Sequence, residues 1–378
     1  MESTSRRSFL APRLGLTPAA AERARLTYRD FGKTGLKLTP VSFGCMLVGD
    51  QSVIERAADM GIVHFDTARS YQGGNNERMV GAALKGRRQK VVISSKTPAR
   101  TKAEALADLD TSLKEIGTDY LDIWYLHSRN KPEEVPDEQL EAQAQAKKAG
   151  KIRFAGVSTH LNMPEMLAHL VKRGQTDVIL TSYNFTMAPD VGEAIRAARQ
   201  AGVAIVAMKV MAGGFKRIQR GDRLYGADPG ALTRKLSREG GMLSALKWVL
   251  KNESVDTAII GITSVEELEE NVRAMVEPFS ERDAQTLALQ LDRIRSLYCR
   301  MCGACTGACP RGIPVADVLR HLAYAEGYGQ FPLARERFLE LPQTVRQVRC
   351  ADCGSCAVQC PNGVAVRERL ARAQQLFA

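Results

Sequence analysis

Ile62–Tyr71, IVHFDTARSY, is a short apolar run that ends in a carboxylate, Asp66, and is followed five residues later by a phenol, Tyr71. The next two apolar runs along the chain also finish on ionisable residues, Lys96 and His127. In a barrel of parallel strands, the carboxyl ends of all strands meet on one face. We therefore expect Asp66, Lys96 and His127 to converge on that face, with Tyr71 on the adjoining loop.

The surrounding chain has the alternation that such a barrel requires. Strand-like and helix-like runs follow one another eight times, from a first strand near Val41–Cys45 to a last helix at Val265–Met275. Alternation of this kind predicts a parallel sheet. A hairpin over Tyr28–Met46, with its turn at Lys33–Gly35, is expected to close the bottom of the barrel. The predicted fold is thus an α/β protein with a (β/α)₈ barrel of the TIM type, followed by a further domain.

Asp66, Tyr71, Lys96 and His127 resemble the catalytic tetrad of the aldo/keto reductases. The flanking segments FDTARSY, YLDIWYLH, GVSTH, SYN and EEN are similar to that family as well, and the resemblance runs from about residue 28 to residue 278. It implies hydride transfer between a nicotinamide cofactor and a carbonyl or alcohol.

The resemblance implies a role for each member of the tetrad. Tyr71 is the expected general acid, and because a free phenol titrates near pH 10 it needs a neighbouring cation. Lys96 is expected to supply that cation, Asp66 to hold Lys96, and His127 to hydrogen-bond the substrate carbonyl. His64, two residues before Asp66, is expected to be a packing residue of the barrel.

The resemblance also implies a site for NADH or NADPH. Ser158 and Thr159 stand where the family usually has Ser and Asn against the carboxamide, and Leu180 replaces the usual Gln. Met208 stands where many members place an aromatic ring, and its polarizable sulfur can still pack on the nicotinamide. The expected cofactor contacts are Ser158, Thr159, Tyr183, Met208, Gly261, Thr263, Glu267 and Asn271.

Residues 259–271, IIGITSVEELEEN, are the expected phosphate and adenosine part of that site, with a helix N-terminus as the anion cradle. Members that select the 2′-phosphate often carry a basic pair here, whereas this chain has Gly261 and Glu267. A carboxylate repels phosphate and accepts from a ribose hydroxyl, although Glu267 equally suits a solvated helix face. The choice between NADH and NADPH stays open.

The C-terminal part of the chain carries the same cysteine run, C-x₂-C-x₂-C-x₃-C-P, twice. This is the ligand run of bacterial two-cluster ferredoxins, which predicts two [4Fe–4S] clusters. Zinc would be satisfied by four ligands in two pairs, and disulfides would not need this spacing. The ninth cysteine, Cys45, is expected to be a small core residue. The predicted metal ligands are Cys299, Cys302, Cys305, Cys309, Cys350, Cys353, Cys356 and Cys360.

The residues between the two runs look helical, at Val315–Glu326 and Leu333–Leu339, and resemble an α-helical ferredoxin module. An amphipathic helix over Glu281–Leu297 is expected to lead out of the barrel. Whether the fourth cysteine of each run ligates the other cluster is carried over from the resemblance. Barrels of this family with such a tail form a recognisable subgroup. The predicted domains are a leader at 1–26, the barrel at 27–280 and a mainly helical, ferredoxin-like domain at 281–378.

Composition limits the partners. The chain of 378 residues carries a formal net charge of +11, but its basic residues are scattered, so we expect no nucleic-acid partner. No apolar run is long enough to span a membrane. The long, charged segment from Ala212 to Gly240 is expected to fold over the cofactor, or else to be a surface insertion. A small-molecule carbonyl or alcohol and a redox protein are the expected partners.

The leader contains SRRSFL at Ser5–Leu10, which resembles a twin-arginine export signature. The apolar region after it is short and interrupted by Pro12, Arg13 and Pro18, and export would separate the enzyme from the cytoplasmic nicotinamide pool. A cytoplasmic protein is therefore the prediction, with export through the twin-arginine pathway as the alternative.

Two functions fit these motifs. The first is a nicotinamide-dependent carbonyl reductase whose clusters hold the tail or exchange electrons with a partner. The second is an electron-transfer or redox-sensing module in which the barrel binds the cofactor and the clusters dock a redox partner. Retention of all four tetrad residues favours the enzyme.

Overall fold

A computed structural model describes residues 26–212 and 241–377. The leader and almost all of the predicted loop after Ala212 lie outside these residues. Ten strands are formed in the described part. They are β1 (Arg29–Asp30), β2 (Lys37–Leu38), β3 (Val41–Gly44), β4 (His64–Asp66), β5 (Val92–Thr97), β6 (Leu121–Leu126), β7 (Ile152–Thr159), β8 (Val178–Ser182), β9 (Ala204–Met208) and β10 (Thr257–Gly261).

Helices follow most of the strands and form the outer layer, and others build the C-terminal region. The α-helices of the described residues are α1 (Gln51–Asp59), α2 (Asn75–Ala83), α3 (Lys102–Ile116), α4 (Asp137–Lys148), α5 (Met163–Arg173), α6 (Pro189–Gln200), α7 (Gly241–Leu250), α8 (Val265–Ala274), α9 (Glu281–Ile294), α10 (Val315–Glu326), α11 (Phe331–Leu339), α12 (Gln343–Arg346) and α13 (Val366–Phe377). None of these helices has the length and apolar character needed to cross a membrane.

Strands β3 to β10 close into an eight-stranded barrel in which every pairing is parallel. β10 pairs with β3 from Ala258 opposite Val41 to Gly261 opposite Gly44, which completes the circle. The predicted TIM-type barrel is thereby confirmed. Because all strands run the same way, the residues that end them share one rim.

The hairpin predicted ahead of the barrel is confirmed: β1 and β2 pair antiparallel, and the Phe31 amide donates to the Leu36 carbonyl at 2.9 Å. Phe31 and Leu38 are fully buried and pack with inward-facing residues such as Tyr125. Apolar side chains therefore fill the barrel from its amino-terminal end, which leaves the opposite rim for chemistry. Cys45 is fully buried in the barrel core, as expected.

The C-terminal region has its own apolar core. Leu322 on α10, Phe338 on α11 and Phe377 on α13 are buried in it, and the rings of Phe338 and Phe377 have centroids 5.4 Å apart. The predicted helices are confirmed, with α11 beginning two residues earlier than expected, at Phe331. α10 buries most of its length because Ala323 packs on the barrel core while Leu322 faces the tail core.

α9 ends at Ile294, three residues short of the predicted Leu297, and it packs on α7 of the barrel. Ser244 on α7 donates to Asp283 at 2.6 Å, and the Lys247 ammonium lies 2.8 Å from the same carboxylate. By these contacts the helix predicted to lead out of the barrel belongs to its outer layer. Ile294, the last residue of α9, joins the barrel core.

Candidate active site

The tetrad residues come together on the carboxyl rim of the barrel, as their order in the chain predicts. Asp66 ends β4, Lys96 lies near the end of β5, and His127 directly follows β6. Tyr71 begins a short 3₁₀ turn after β4. Asp66, Tyr71 and His127 line a cavity of about 680 Å³.

Lys96 is the centre of the tetrad's hydrogen bonds. Its ammonium, almost fully buried, pairs with the Asp66 carboxylate and donates to the Thr67 carbonyl at 2.7 Å and to the Tyr71 hydroxyl at 3.3 Å. Ser94 donates to the other oxygen of Asp66 at 2.6 Å. Burial acts to lower the pKa of Lys96, but Asp66 and Tyr71 raise it, so the ammonium stays charged.

Burial also raises the pKa of Tyr71, and the opposing effect of the Lys96 ammonium does not cancel it. The Lys96 ammonium was expected to lower the pKa of Tyr71. In this structure the effect of burial is larger, because the phenolate loses its hydration in the cavity. His127 lies edge-on to Tyr71, with ring centroids 6.0 Å apart. Burial, followed by nearby cations led by Lys96, lowers the pKa of His127 well below its usual value, which leaves the ring neutral.

Buried polar contacts hold the Tyr71 loop. Thr67 donates to Asn76 at 2.6 Å, and Asn76 donates to the Cys45 carbonyl at 2.7 Å. Glu77 is fully buried, pairs with Arg69 and accepts from Ser95 at 2.6 Å. Asn76 and Glu77 thus anchor the start of α2 beneath the loop and fix the position of the phenol.

His64 is a packing residue, as expected. It is fully buried, its Nδ1 lies 3.0 Å from Ser42 Oγ, and its Nε2 lies 2.9 Å from Ser94 Oγ. Burial lowers its pKa to about 4, so it stays neutral. Through Ser94 it helps to orient Asp66.

The predicted cofactor residues are placed unevenly around the cavity. Met208, Gly261, Thr263 and Glu267 line it. Glu267 accepts from the Thr263 amide at 2.7 Å and from the Thr263 hydroxyl at 2.9 Å, so its carboxylate is held at the start of α8. One oxygen of Glu267 thus closes the turn before the helix, and its contact with a ribose hydroxyl stays a prediction.

Other predicted contacts lie behind the cavity wall. Ser158 Oγ accepts from the Ser128 amide at 2.8 Å, Thr159 donates to the Leu161 carbonyl at 3.0 Å, and Asn271 is buried on α8. Their role in cofactor binding stays a prediction. Tyr183 faces away: its ring centroid lies 5.0 Å from that of Trp248, and its hydroxyl accepts from Asn252 at 3.1 Å. The structure does not bring Tyr183 to the cavity, because the chain turns its ring towards the outer helices after β8.

Part of the cavity wall comes from the C-terminal region, which sequence reasoning did not assign to the site. Arg320, His321 and Tyr324 on α10 and Arg337 on α11 line the cavity, together with Lys209 and His160 from the barrel. Arg337 donates to the Ser70 carbonyl at 3.4 Å, next to Tyr71. Of these residues, only His160 and Lys209 could have been suspected from the sequence, because each directly follows a predicted cofactor residue.

The link between tail and barrel continues along the segment before the first cysteine run. Asn184 donates to the Tyr298 hydroxyl at 3.2 Å, and the Asn162 amide donates to the Met301 carbonyl at 3.2 Å. Ser182 at the end of β8 donates to the Met301 sulfur at 3.8 Å. The cysteine Cys299 is thereby held close to the barrel rim.

By their mutual electrostatic effects, the eight cysteines of the two runs form two groups. Burial and the neighbouring thiols Cys305, Cys302 and Cys360 raise the pKa of Cys299 to about 12. Likewise, Cys350 has Cys353, Cys309 and Cys356 as its neighbours. Each group thus contains three thiols of one run and the fourth thiol of the other, a donor set that fits a cubane cluster. In the described residues, no three His, Cys, Asp or Glu side chains converge closely enough to hold one metal ion.

A parallel eight-stranded barrel with this site defines a class, the oxidoreductases built on a (β/α)₈ barrel. Within that class, the profile of the aldo/keto reductase family matches residues 49–289, and the chain belongs to that family. The profile of the 4Fe-4S dicluster domain matches residues 298–365. The protein is thus an aldo/keto reductase-type oxidoreductase with a C-terminal 4Fe-4S domain.

Relatives align over the barrel. The L-glyceraldehyde 3-phosphate reductase of Escherichia coli (strain K12) is 27% identical over 307 residues, covering 66% of this chain and 88% of its own. The L-galactose dehydrogenase of Arabidopsis thaliana is 26% identical over 284 residues, covering 67% and 89%. Among solved structures, the holo form of the aldo-keto reductase AKR11C1 from Bacillus halodurans is 27% identical, with a TM-score of 0.59 and coverage of 70% and 96%.

Proposed function

We propose that the barrel cavity catalyses NADH- or NADPH-dependent interconversion of a small carbonyl compound and its alcohol, with Tyr71 as the general acid and base. The observation that supports this most strongly is the buried sequence of contacts from Asp66 through Lys96 to the Tyr71 hydroxyl at the edge of the cavity. Asp66 keeps Lys96 charged, and Lys96 orients the Tyr71 hydroxyl and stabilises the phenolate left when the proton moves.

The cofactor, when bound, supplies a hydride to the carbonyl carbon of the substrate. Met208, Gly261, Thr263 and Glu267, which line the cavity, are the residues we assign to its binding. His127 is neutral and beside Tyr71, so its ring can donate to the carbonyl oxygen and polarise it. Tyr71 then delivers its proton to the same oxygen.

We further assign two [4Fe–4S] clusters to the tail. Cys299, Cys302, Cys305 and Cys360 would hold the first cluster, and Cys309, Cys350, Cys353 and Cys356 the second. The chemistry that the clusters supply is one-electron transfer. The barrel contacts of Tyr298 and Met301 favour a tail that is structurally coupled to the active site. A redox protein partner and a cytoplasmic location complete the proposal.

Tyr71→Phe tests the catalytic assignment. We expect it to lower kcat/KM for aldehyde reduction by about 10²- to 10⁴-fold, the usual contribution of a positioned acid. The exposed Tyr28, changed to Phe, is the matched control. Full activity of Tyr71→Phe would refute the role of Tyr71. Cofactor binding without turnover of any aldehyde by the unmodified protein would favour the redox-sensing alternative.

Anaerobic purification tests the cluster assignment. We expect about eight irons per chain, and zinc or far less iron would contradict it.

Mixing this protein with NADH or NADPH without a carbonyl then tests the coupling of the two domains. Bleaching of the cluster absorbance with a new electron paramagnetic resonance signal would show electron transfer between barrel and tail. Unchanged clusters in a protein that still reduces aldehydes would make the tail structural or dedicated to another partner.

A further inference from the structure

The cavity has two walls of different origin. The tetrad lies on the barrel wall, and the facing wall is formed by α10 and α11 of the iron–sulfur domain. The facing wall and the adjoining Lys209 carry three cations, Arg320, Arg337 and Lys209. The cavity that gives access to Tyr71 is therefore also lined by this cationic surface.

The hydrogen-bonding capacity of these cations is only partly used. Arg320 pairs with Asp317 through Nη2 at 2.8 Å, while its Nη1 is buried and has no hydrogen-bond partner within the described residues. Arg337 pairs with Glu340 through Nη1 at 2.8 and 3.0 Å. The Lys209 ammonium lies 5.2 Å from the centroid of the Tyr324 ring. Buried guanidinium donors normally find an acceptor, and Arg320, which lines the cavity, has one donor without an acceptor among the described residues.

Two buried histidines lie on the same surface. His160 and His321 are 8% and 5% exposed and line the cavity, and the Nδ1 atom of each is buried without a partner among the described residues. The carboxylates that line the cavity are mostly engaged: Asp66 with Lys96, Glu267 with Thr263 and Glu340 with Arg337. Glu336 is exposed and also lines the cavity.

The pKa values of Tyr324 and His321 reflect an excess of positive charge around the cavity. Burial acts to raise the pKa of Tyr324, yet Lys209, Arg320 and Arg337 bring it below its usual value. Burial and, after it, the same three cations lower the pKa of His321 to about 3. A cavity with a positive potential attracts anions, repels cations and gives neutral molecules no comparable advantage.

We propose that Arg320, Arg337, Lys209 and Tyr324 form an anion-binding subsite opposite the tetrad, and that the substrate is a carbonyl compound that also carries a carboxylate or phosphate group. The identity of the substrate rests on the proposed reductase function, whereas anion binding at the subsite does not depend on it. Arginine matches both oxyanions because its planar donors bind two oxygens at once. Tyr324 and Tyr71 line the same cavity, so one molecule bound there can contact both groups.

The test uses the full chain with its clusters and three probes of similar shape: 4-formylbenzoate, 4-formylphenyl phosphate and the neutral methyl 4-formylbenzoate. We expect kcat/KM for at least one anion to exceed that of the ester by about tenfold or more. Comparison of kcat/KM for the two anionic aldehydes shows whether the subsite prefers a carboxylate or a phosphate. Equal values for all three aldehydes would overturn the proposal.

Arg320→Gln is the diagnostic variant, and Arg335→Gln is its control because Arg335 is exposed on α11 and does not line the cavity. We expect Arg320→Gln to lower the ratio of kcat/KM values for anion and ester by about 10- to 100-fold, whereas Arg335→Gln keeps the ratio. If Arg320→Gln instead weakens NADPH binding and leaves the ratio unchanged, the cations serve the cofactor phosphate and the proposal is wrong.

Equilibrium binding separates this proposal from the reductase function. Terephthalate has two carboxylates and no aldehyde, and calorimetry can compare it with neutral dimethyl terephthalate in the unmodified protein. Tighter binding of terephthalate, weakened by Arg320→Gln, supports the subsite even if no aldehyde is reduced. Failure of terephthalate to bind more tightly than the diester would overturn the subsite even if aldehydes are reduced.

Discussion

Tyr71 and His127 have pKa values displaced in opposite directions, and each displacement keeps its residue in a single protonation state near neutral pH. Burial raises the pKa of Tyr71, so near neutral pH the phenol keeps the proton that the proposed mechanism assigns it to donate. Burial and the nearby cations lower the pKa of His127 well below its usual value, so its ring stays neutral. The two residues thus keep one protonation state each over the pH range in which a free histidine titrates.

This arrangement predicts the pH profile of the reduction. We expect kcat/KM to be flat from about pH 6 to 8 and to fall only above about pH 10, where Tyr71 loses its proton. The sign follows from the raised pKa, because the active, protonated form persists up to the pKa of the folded enzyme. Stopped-flow measurement of NADH or NADPH oxidation over this range tests it. An inflection near pH 6.5 would show that His127 titrates and would contradict the prediction.

α9 begins with a capping box in which Ser280 and Asp283 satisfy each other's backbone amides. The Asp283 carboxylate also accepts from Ser244 and pairs with Lys247 on α7. Burial acts to raise the pKa of Asp283, but these hydrogen bonds hold it well below its usual range. A single carboxylate therefore both starts α9 and fastens it to the barrel.

We expect Asp283→Asn to destabilise the fold more than Ser280→Ala, by about 2 kcal/mol against about 1 kcal/mol. The reason is that the asparagine loses the ion pair with Lys247 as well as part of the cap. Thermal unfolding followed by circular dichroism at pH 7 compares the two variants. Glu281→Gln, an exposed change in the same helical turn, is the control. An Asp283→Asn midpoint equal to that of the control would show that the α7 contact adds nothing.

The Asp283 contribution also has a defined pH dependence. Because its folded-state pKa is depressed, the stabilisation is present above the ordinary carboxyl pKa near 4 and is lost as pH falls towards the folded value. The difference between the unmodified protein and Asp283→Asn should therefore be largest near neutral pH and shrink in acid. A difference that grew as pH fell would contradict the assignment.

The C-terminal tail has two roles in the assembled protein. It carries the cysteines, and it also forms part of the wall of the active-site cavity. Its apolar core is small, and Cys299, Cys305, Cys309, Cys356 and Cys360 pack against it. Metal-bound domains of this kind gain much of their stability from the bound metal. We therefore expect α10 and α11 to depend on bound clusters for their position over the barrel.

Removal of the clusters is expected to change the substrate selectivity of the barrel. Without them, α10 and α11 lose support, so the preference for 4-formylbenzoate over its methyl ester should fall by about tenfold or more. Chelation of iron under anaerobic conditions, followed by steady-state kinetics with both aldehydes, measures this. Reconstitution with iron and sulfide is the control. Selectivity that is unchanged in iron-free protein would show that the tail holds its shape without clusters.

Local order along the chain was enough to predict the barrel, the convergence of Asp66, Lys96 and His127 on one rim, and the two cysteine runs. Asp66, Lys96 and His127 end successive parallel strands, and parallel strands bring their carboxyl ends to one rim whatever the outer layer does. The spacing within each cysteine run is similarly local, since three thiols of one run need only a short loop to surround a cluster. The alternation of strand-like and helix-like runs predicted the ends of the helices to within a few residues.

Only the tertiary structure decided what faces the tetrad. Arg320 and Arg337 stand far along the chain from Tyr71, and nothing in their neighbourhood distinguishes them from surface residues until α10 and α11 pack over the barrel. The direction of the Tyr183 ring and the grouping of Cys309 with the second run also depend on contacts between distant segments. Strand order is set by neighbouring residues, whereas the docking of one core on another depends on the shapes of both surfaces, which no local pattern encodes.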